Sequence, residues 1–196
     1  MNPPSLPLPV EWSHDLLQRF VGAGDWVIDA TVGNGYDTIF LASVVGSSGR
    51  VFGFDVQAEA IEKTAARLAD SGHKAELLWA SHDRLGEILP AEAHGRVKAV
   101  LFNLGYLPGA DKSIITQPSC TLPALEQAAA LLAEGGVLVV VTYPGHPGGG
   151  EEAEAVGRWL SALPHTAWNV QHIRCANRPH ALPPECWVAH RRITRR

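Results

Sequence analysis

Five short apolar runs rich in Val, Ile and Leu constrain this chain more than any other feature: Trp26 to Ala30, Arg50 to Phe54, Ala75 to Trp79, Val97 to Phe102 and Gly136 to Tyr143. They are continuous rather than alternating, so each reads as a strand covered on both faces. Helical spacing fills the gaps. Ala58, Ile61, Ala65 and Leu68 recur at three- and four-residue steps, as do Leu122, Leu125, Ala129 and Leu132, the latter stopped at Gly135-Gly136; Trp159, Leu160 and Leu163 suggest a further helix. Covered strands alternating with helices imply a parallel, doubly wound α/β sheet. The segments Trp168 to Arg174 and Cys186 to Arg191 read as two more strands without a helix between them. The expected fold is thus α/β, a mostly parallel seven-stranded sheet with a terminal antiparallel hairpin at one edge.

The 196 residues fit one domain spanning 1–196, with PGHPGGG at Pro144 to Gly150 as a loop rather than a linker. Hydrophobic residues make up 46%, charged residues 18%, and the net charge is −4, a globular composition. Cys120, Cys175 and Cys186 are odd in number and lack CxxC spacing, which speaks against a disulfide framework and a zinc site. No metal is expected from the nine histidines either, which form no HxxxH pair. The proline-rich start has no basic region of the kind a signal peptide carries, and no apolar run reaches the length of a membrane span. A cytoplasmic location is the expectation.

In such a sheet ligands bind at the carboxyl ends of the strands. The first run ends in Asp29-Ala30-Thr31-Val32-Gly33-Asn34-Gly35-Tyr36-Asp37, a Gly-x-Gly turn that lets a ligand approach the backbone. Twenty residues after Gly35, Asp55 closes the second run, where a carboxylate can accept both ribose hydroxyls of a nucleoside. Thr38 stands where a dinucleotide fingerprint needs its third glycine or alanine, which disfavours NAD. The combination points to S-adenosylmethionine. Two alternatives stay open: Asp55 as a cap of the following helix, and Asp29 as a carboxylate that only braces the loop. Ser81, His82 and Asp83 end the third run, placed either to read an adenine edge or to cap the short helix near Leu85 to Leu89. The fourth run leads into Asn103-Leu104-Gly105-Tyr106, comparable to the Asn-Pro-Pro-Tyr element of amine-directed methyltransferases; a plain turn is the alternative. Tyr143 and His146 follow the fifth, with His146 a candidate base.

The segments DATVGNGYDTIFLA, FGFDVQ, SHDRL, FNLGYLPGADKSI and YPGHPGG resemble the rRNA methylase family, from about Ser13 to Arg191. Its characterised members methylate the wobble uridine of bacterial tRNA, converting 5-aminomethyl-2-thiouridine to the 5-methylaminomethyl form. The resemblance implies a Rossmann-like, class I methyltransferase fold binding S-adenosyl-L-methionine at Asp29, Gly33, Asn34, Gly35, Asp37, Asp55, Gln57, Ser81 and His82. It also makes tRNA, through its anticodon region, the expected partner, and a homodimer plausible. The chain departs from the family pattern at Asn177 to Pro184, which is lengthened but keeps its Pro pair.

An amine attacking a sulfonium methyl in line must be held neutral and close, and its proton needs an acceptor. Asn103, Tyr106 and His146 are the catalytic candidates. RNA binding calls for a basic footprint, whereas the chain is acidic overall. Arg191, Arg192, Arg195 and Arg196, extended by Arg174, Arg178 and Lys112, are the expected patch. The competing expectation is a methyltransferase of a small amine metabolite, which the negative charge would suit.

Overall fold

In a computed structural model of the chain, the described residues are 6–105, 115–177 and 182–194. Seven strands, β1 (Trp26–Asp29), β2 (Arg50–Asp55), β3 (Glu76–Trp79), β4 (Val97–Asn103), β5 (Leu132–Thr142), β6 (Trp168–Ile173) and β7 (Glu185–Arg191), form one sheet in the order β3-β2-β1-β4-β5-β7-β6. β1 to β5 pair in parallel, and β7 inserts antiparallel between β5 and β6. The mostly parallel sheet and its terminal antiparallel pair are as expected, with β6 on the edge.

The continuous apolar runs follow from two cores. Ile28, Phe52, Phe54, Val100, Phe102, Leu138 and Val140 face one layer, while Val27, Val51, Ala99, Leu101, Val137, Val139 and Val141 face the other. Successive residues point to opposite faces, so neither face of the central strands can be polar. Helices α2 (Tyr36–Val45), α3 (Ala58–Ser71), α4 (Leu85–Ile88), α5 (Pro118–Leu131) and α6 (Gly149–Ser161) connect the strands. None of the described helices is long and apolar enough to cross a membrane.

One helix precedes the sheet and was not expected from the prolines that open the chain. In α1 (Pro9–Phe20) the proline occupies the first turn, where a missing N–H costs nothing, and the Leu8 N–H donates to Glu11 Oε2 at 2.6 Å. The helix buries Ser13 and Leu17 against β5 and β7. A second difference lies at β5, which starts at Leu132 rather than Gly136. Gly135, at φ +72°, sits where the β4–β5 register shifts between Val97–Leu132 and Ala99–Val137, so the early part of the strand carries a bulge.

The strand order reverses between β1 and β4, which opens a crevice at their carboxyl ends. Asp29, Asp55, Trp79, Asn103 and Thr142 end the five parallel strands there. At that crevice Gly35 begins α2 with φ +81°, and a Cβ on it would lie 2.5 Å from Thr64 Oγ1 of α3. Gly35→Ala therefore carries both a left-handed backbone cost, about 1 kcal/mol, and a clash. Denaturant melts should show a larger loss than that, and adding Thr64→Ala should recover most of the clash but not all, since the Cβ at position 64 lies 3.0 Å away itself.

Candidate active site

The loop after β1 is braced from inside. Asp29 is fully buried; its Oδ1 accepts the Thr31 N–H at 3.1 Å and its Oδ2 the Thr38 hydroxyl at 2.6 Å. Burial first, and then the nearby charge of Asp37, push its pKa up to about 7, against the hydrogen bonds from Thr38 and Thr31. Gly33, at φ +53°, turns its N–H onto Asp55 Oδ2 at 2.8 Å. Asp55 Oδ1 accepts the Gln57 N–H at 2.8 Å, one residue before α3 begins, so Asp55 links two loops rather than capping the helix itself. A carboxylate offers about four acceptor positions, so two of Asp55's remain for a ligand.

Asp37, in the first turn of α2, is the junction of the site. Its Oδ1 receives His14 Nε2 of α1 at 2.7 Å, and its Oδ2 receives Asn103 Nδ2 at 3.0 Å. His14 is fixed by stacking on Phe40, ring centroids 3.9 Å apart. The Asn103 N–H donates to Thr31 Oγ1 at 2.7 Å, so both ends of Asn103 are tied to the first loop and the first turn behind it. With Nδ2 committed to Asp37, the carboxamide oxygen is the end left to act as an acceptor.

Burial, followed by the charge of Asp37, pushes the Tyr143 phenol up to about 12, against a hydrogen bond from the Asn103 amide. Tyr143 is therefore an O–H donor at neutral pH, not a base. His146 is wedged between two glycines: a Cβ on Gly105 would lie 3.5 Å from its Nε2, and one on Gly149 only 2.7 Å. Its Nδ1 meets Pro147 O at 2.9 Å and so carries the proton. His82 likewise faces a carbonyl, Ala30 O, from Nδ1 at 3.2 Å, and burial lowers its pKa, so the ring is neutral.

These groups surround a cavity of about 870 Å³, ample for a nucleoside-sized cofactor. Of the residues singled out in the sequence, Gly33, Asn34, Asp37, Asp55, Gln57, Ser81, His82, Asn103 and His146 line it. Asp29 and Gly35 stand behind the lining, the former as the loop brace and the latter in the close approach of α2 to α3. Tyr106 lies outside the described residues. His14 and Thr31 are partners that the sequence did not reveal: His14 sits on the unexpected helix, and Thr31 reads as an ordinary loop residue.

Among the described residues the arginines of the expected patch are divided between two ends of the sheet. β7 runs against β5, so Glu185 pairs with Thr142 at the cavity end while Arg191 ends the strand about 20 Å away, six residues on. There Arg191 donates to Leu132 O, and Arg192 Nε lies 3.4 Å from Trp168 O. Arg174, exposed just after β6, is at the cavity end instead. Lys112, Arg178, Arg195 and Arg196 lie outside the described residues.

Residues 51–189 match the family model described as "Putative rRNA methylase". The chain belongs to this family. The rRNA methylase match starts inside β2, so the Gly33 loop precedes it. A curated relative, the chloroplastic tRNA (mnm(5)s(2)U34)-methyltransferase of Arabidopsis thaliana, is 42% identical over 181 residues, 87% of this chain; the chain spans 65% of that relative's length. Among solved structures, a "putative rRNA-methylase" from Clostridium thermocellum is 40% identical with a TM-score of 0.90, covering 96% of this chain and 100% of that one. SMU.1697c from Streptococcus mutans, in complex with SAH, is 31% identical with a TM-score of 0.84, covering 95% and 99%.

Asp29 gives the site a measurable pH signature. Between about pH 4 and pH 7 the folded chain keeps a proton that the unfolded chain has lost, so rising pH weakens the folded state across that window. Asp29→Asn lacks this proton equilibrium. Urea melts at pH 5 and pH 7.5 should show the parent losing stability relative to Asp29→Asn as pH rises, with no further divergence above pH 8.

Proposed function

We propose that this protein is an S-adenosylmethionine-dependent tRNA methyltransferase that converts 5-aminomethyl-2-thiouridine at the wobble position to its 5-methylaminomethyl form. The observation that carries this reading is a cavity with a carboxylate free for a ribose at one wall, Asp55, and an oriented carboxamide oxygen at another, Asn103. The Arabidopsis relative's tRNA activity and the SAH bound to the Streptococcus mutans structure support it.

Bound S-adenosylmethionine would supply the electrophilic methyl group. Asp55 would take the ribose hydroxyls, and Gly33, Asn34 and Gln57 would frame the nucleoside, with Ser81 and neutral His82 toward the base. The oxygen of Asn103 would accept a hydrogen bond from the neutral substrate amine and leave its lone pair aimed at the methyl carbon. Two groups suit the released proton, His146 and the Asp37–His14 pair, which leads from the cavity to a partly exposed imidazole. Tyr106 stays a candidate for the amine's second contact. The anticodon region of tRNA is the partner of this reading, with a homodimer in the cytoplasm as its setting.

The test is mass spectrometry of nucleosides after the purified protein acts on tRNA carrying 5-aminomethyl-2-thiouridine. A methylaminomethyl product that disappears on nuclease pretreatment supports the reading, and methylation of a free amine with tRNA ignored overturns it. Asp55→Ala should weaken cofactor binding roughly tenfold or more, the worth of a hydrogen bond to a charged group. Asn103→Ala should spare that affinity in calorimetry and lower turnover.

RNA contacts should divide along the sheet. Arg174→Ala should weaken tRNA binding and flatten its dependence on salt, because one phosphate contact fewer releases fewer counterions. Replacing Arg191 and Arg192 should leave the salt slope near that of the parent. Filter-binding titrations across a salt series decide between the two ends.

A further inference from the structure

A carboxylate deep in the first turn of α6 is not accounted for by the cofactor or by the groups just assigned. Glu152 is 2% exposed, and its two oxygens are occupied by two threonine hydroxyls: Thr116 Oγ1 donates to Oε2 at 2.7 Å and Thr121 Oγ1 to Oε1 at 2.6 Å. Burying a carboxylate is expensive, and an apolar residue there would pack α6 on α5 without that cost. Thr116 shows what the carboxylate holds. Its Oγ1 accepts the Gly105 N–H at 2.8 Å while its own N–H donates to Gly105 O at 2.9 Å. Gly105 leaves β4 two residues after Asn103, and its bare Cα faces the His146 ring. The same α6 begins where the His146 turn ends: Gly149 N–H donates to His146 O and Glu152 N–H to Gly148 O.

We propose that Glu152 is a positioning residue for methyl transfer: through Thr116 and Thr121 it sets the exit of β4 against the His146 turn, and so Asn103 against His146. The inference rests on the methyltransferase reading, but its geometry can be tested apart from it. Each hydroxyl has a single proton, which the carboxylate fixes toward itself; the Thr116 oxygen is thereby left to the Gly105 N–H. Without Glu152 both hydroxyls lose their buried acceptor and Thr116 is free to turn away from Gly105. Glutamine keeps one acceptor oxygen and offers an N–H to the other hydroxyl, so the fold of the clamp survives a loss of charge.

Kinetics on the full chain, with calorimetry of cofactor binding and amide hydrogen exchange, test this. Glu152→Ala should lower kcat on the order of 10- to 100-fold, the effect of a misplacement of about 1 Å, with cofactor affinity unchanged. Exchange at Gly105 and Thr116 should quicken while Gly33, held by Asp55, stays protected. Glu152→Gln should restore most of the kcat. Thr116→Val should lower kcat too, and combined with Glu152→Ala should add little, as for two parts of one device. A parent-like kcat in Glu152→Ala overturns the inference, as does a matching loss of cofactor affinity, which would mark a fold-wide role. Should Glu152→Ala not fold, Thr116→Val decides by the same readouts. If the parent methylates no tRNA, the proposed function fails, while exchange at Gly105 still shows whether the clamp exists.

Discussion

The site depends on the carboxylate of Asp29, which no solvent reaches. By accepting the Thr31 N–H and the Thr38 hydroxyl it holds the chain as it leaves β1 and the first turn of α2 in one rigid unit. Everything else is hung on that unit. Thr31 presents its hydroxyl to the backbone of Asn103, Gly33 turns its N–H to Asp55, and Asp37 reaches both Asn103 and His14. Loops from three strands and a helix thus meet through hydrogen bonds that start at one buried acid. The cost is visible in that acid's raised pKa, since a carboxylate without solvent near two others prefers its proton.

The electrostatics of the cavity follow from the same grouping. Asp29, Asp37 and Asp55 stand at or just behind one wall, and no lysine or arginine lines it among the described residues. Such a wall attracts a sulfonium and an amine and repels phosphate. Under the proposed function a net charge of −4 is compatible with RNA, because the nucleoside would enter the acidic cavity while its phosphates stay on the rim. Tyr143, kept protonated by burial and by Asp37, adds a donor rather than a second base beside Asn103.

Much of the fold was legible because the two-faced burial of parallel strands writes itself as unbroken apolar runs. The edge was legible too, since β6 and β7 lack a helix between them. The first helix was not: Pro9 at its start reads as a breaker, yet it sits in the one turn that tolerates it. His14 was lost with that helix. Asp29 and Asp55 carried two readings each in the sequence, and spacing alone does not separate them. The structure makes Asp29 the brace, and has Asp55 accepting from two loops with lone pairs to spare. Glu152 was hidden for another reason, as the second of two adjacent glutamates after a glycine run, where a solvated first turn is the ordinary expectation.

The fate of the arginines shows how a sequence cluster can mislead about charge in space. Arg191 and Arg192 are adjacent to the tail in sequence, but an antiparallel strand carries its two ends to opposite poles of the sheet. Both spend donors on carbonyls, Leu132 O and Trp168 O, where the chain between α5 and β5 and the end of the hairpin need closing. His190 records the local density of cations, its pKa lowered by burial and then by Lys98 and Arg192. The charge at that pole is therefore part of how β7 is seated between β5 and β6. The cavity end of the sheet has cations of another kind: Arg174 follows β6 there, and Arg67 lies over the ring of Tyr36, which lines the cavity.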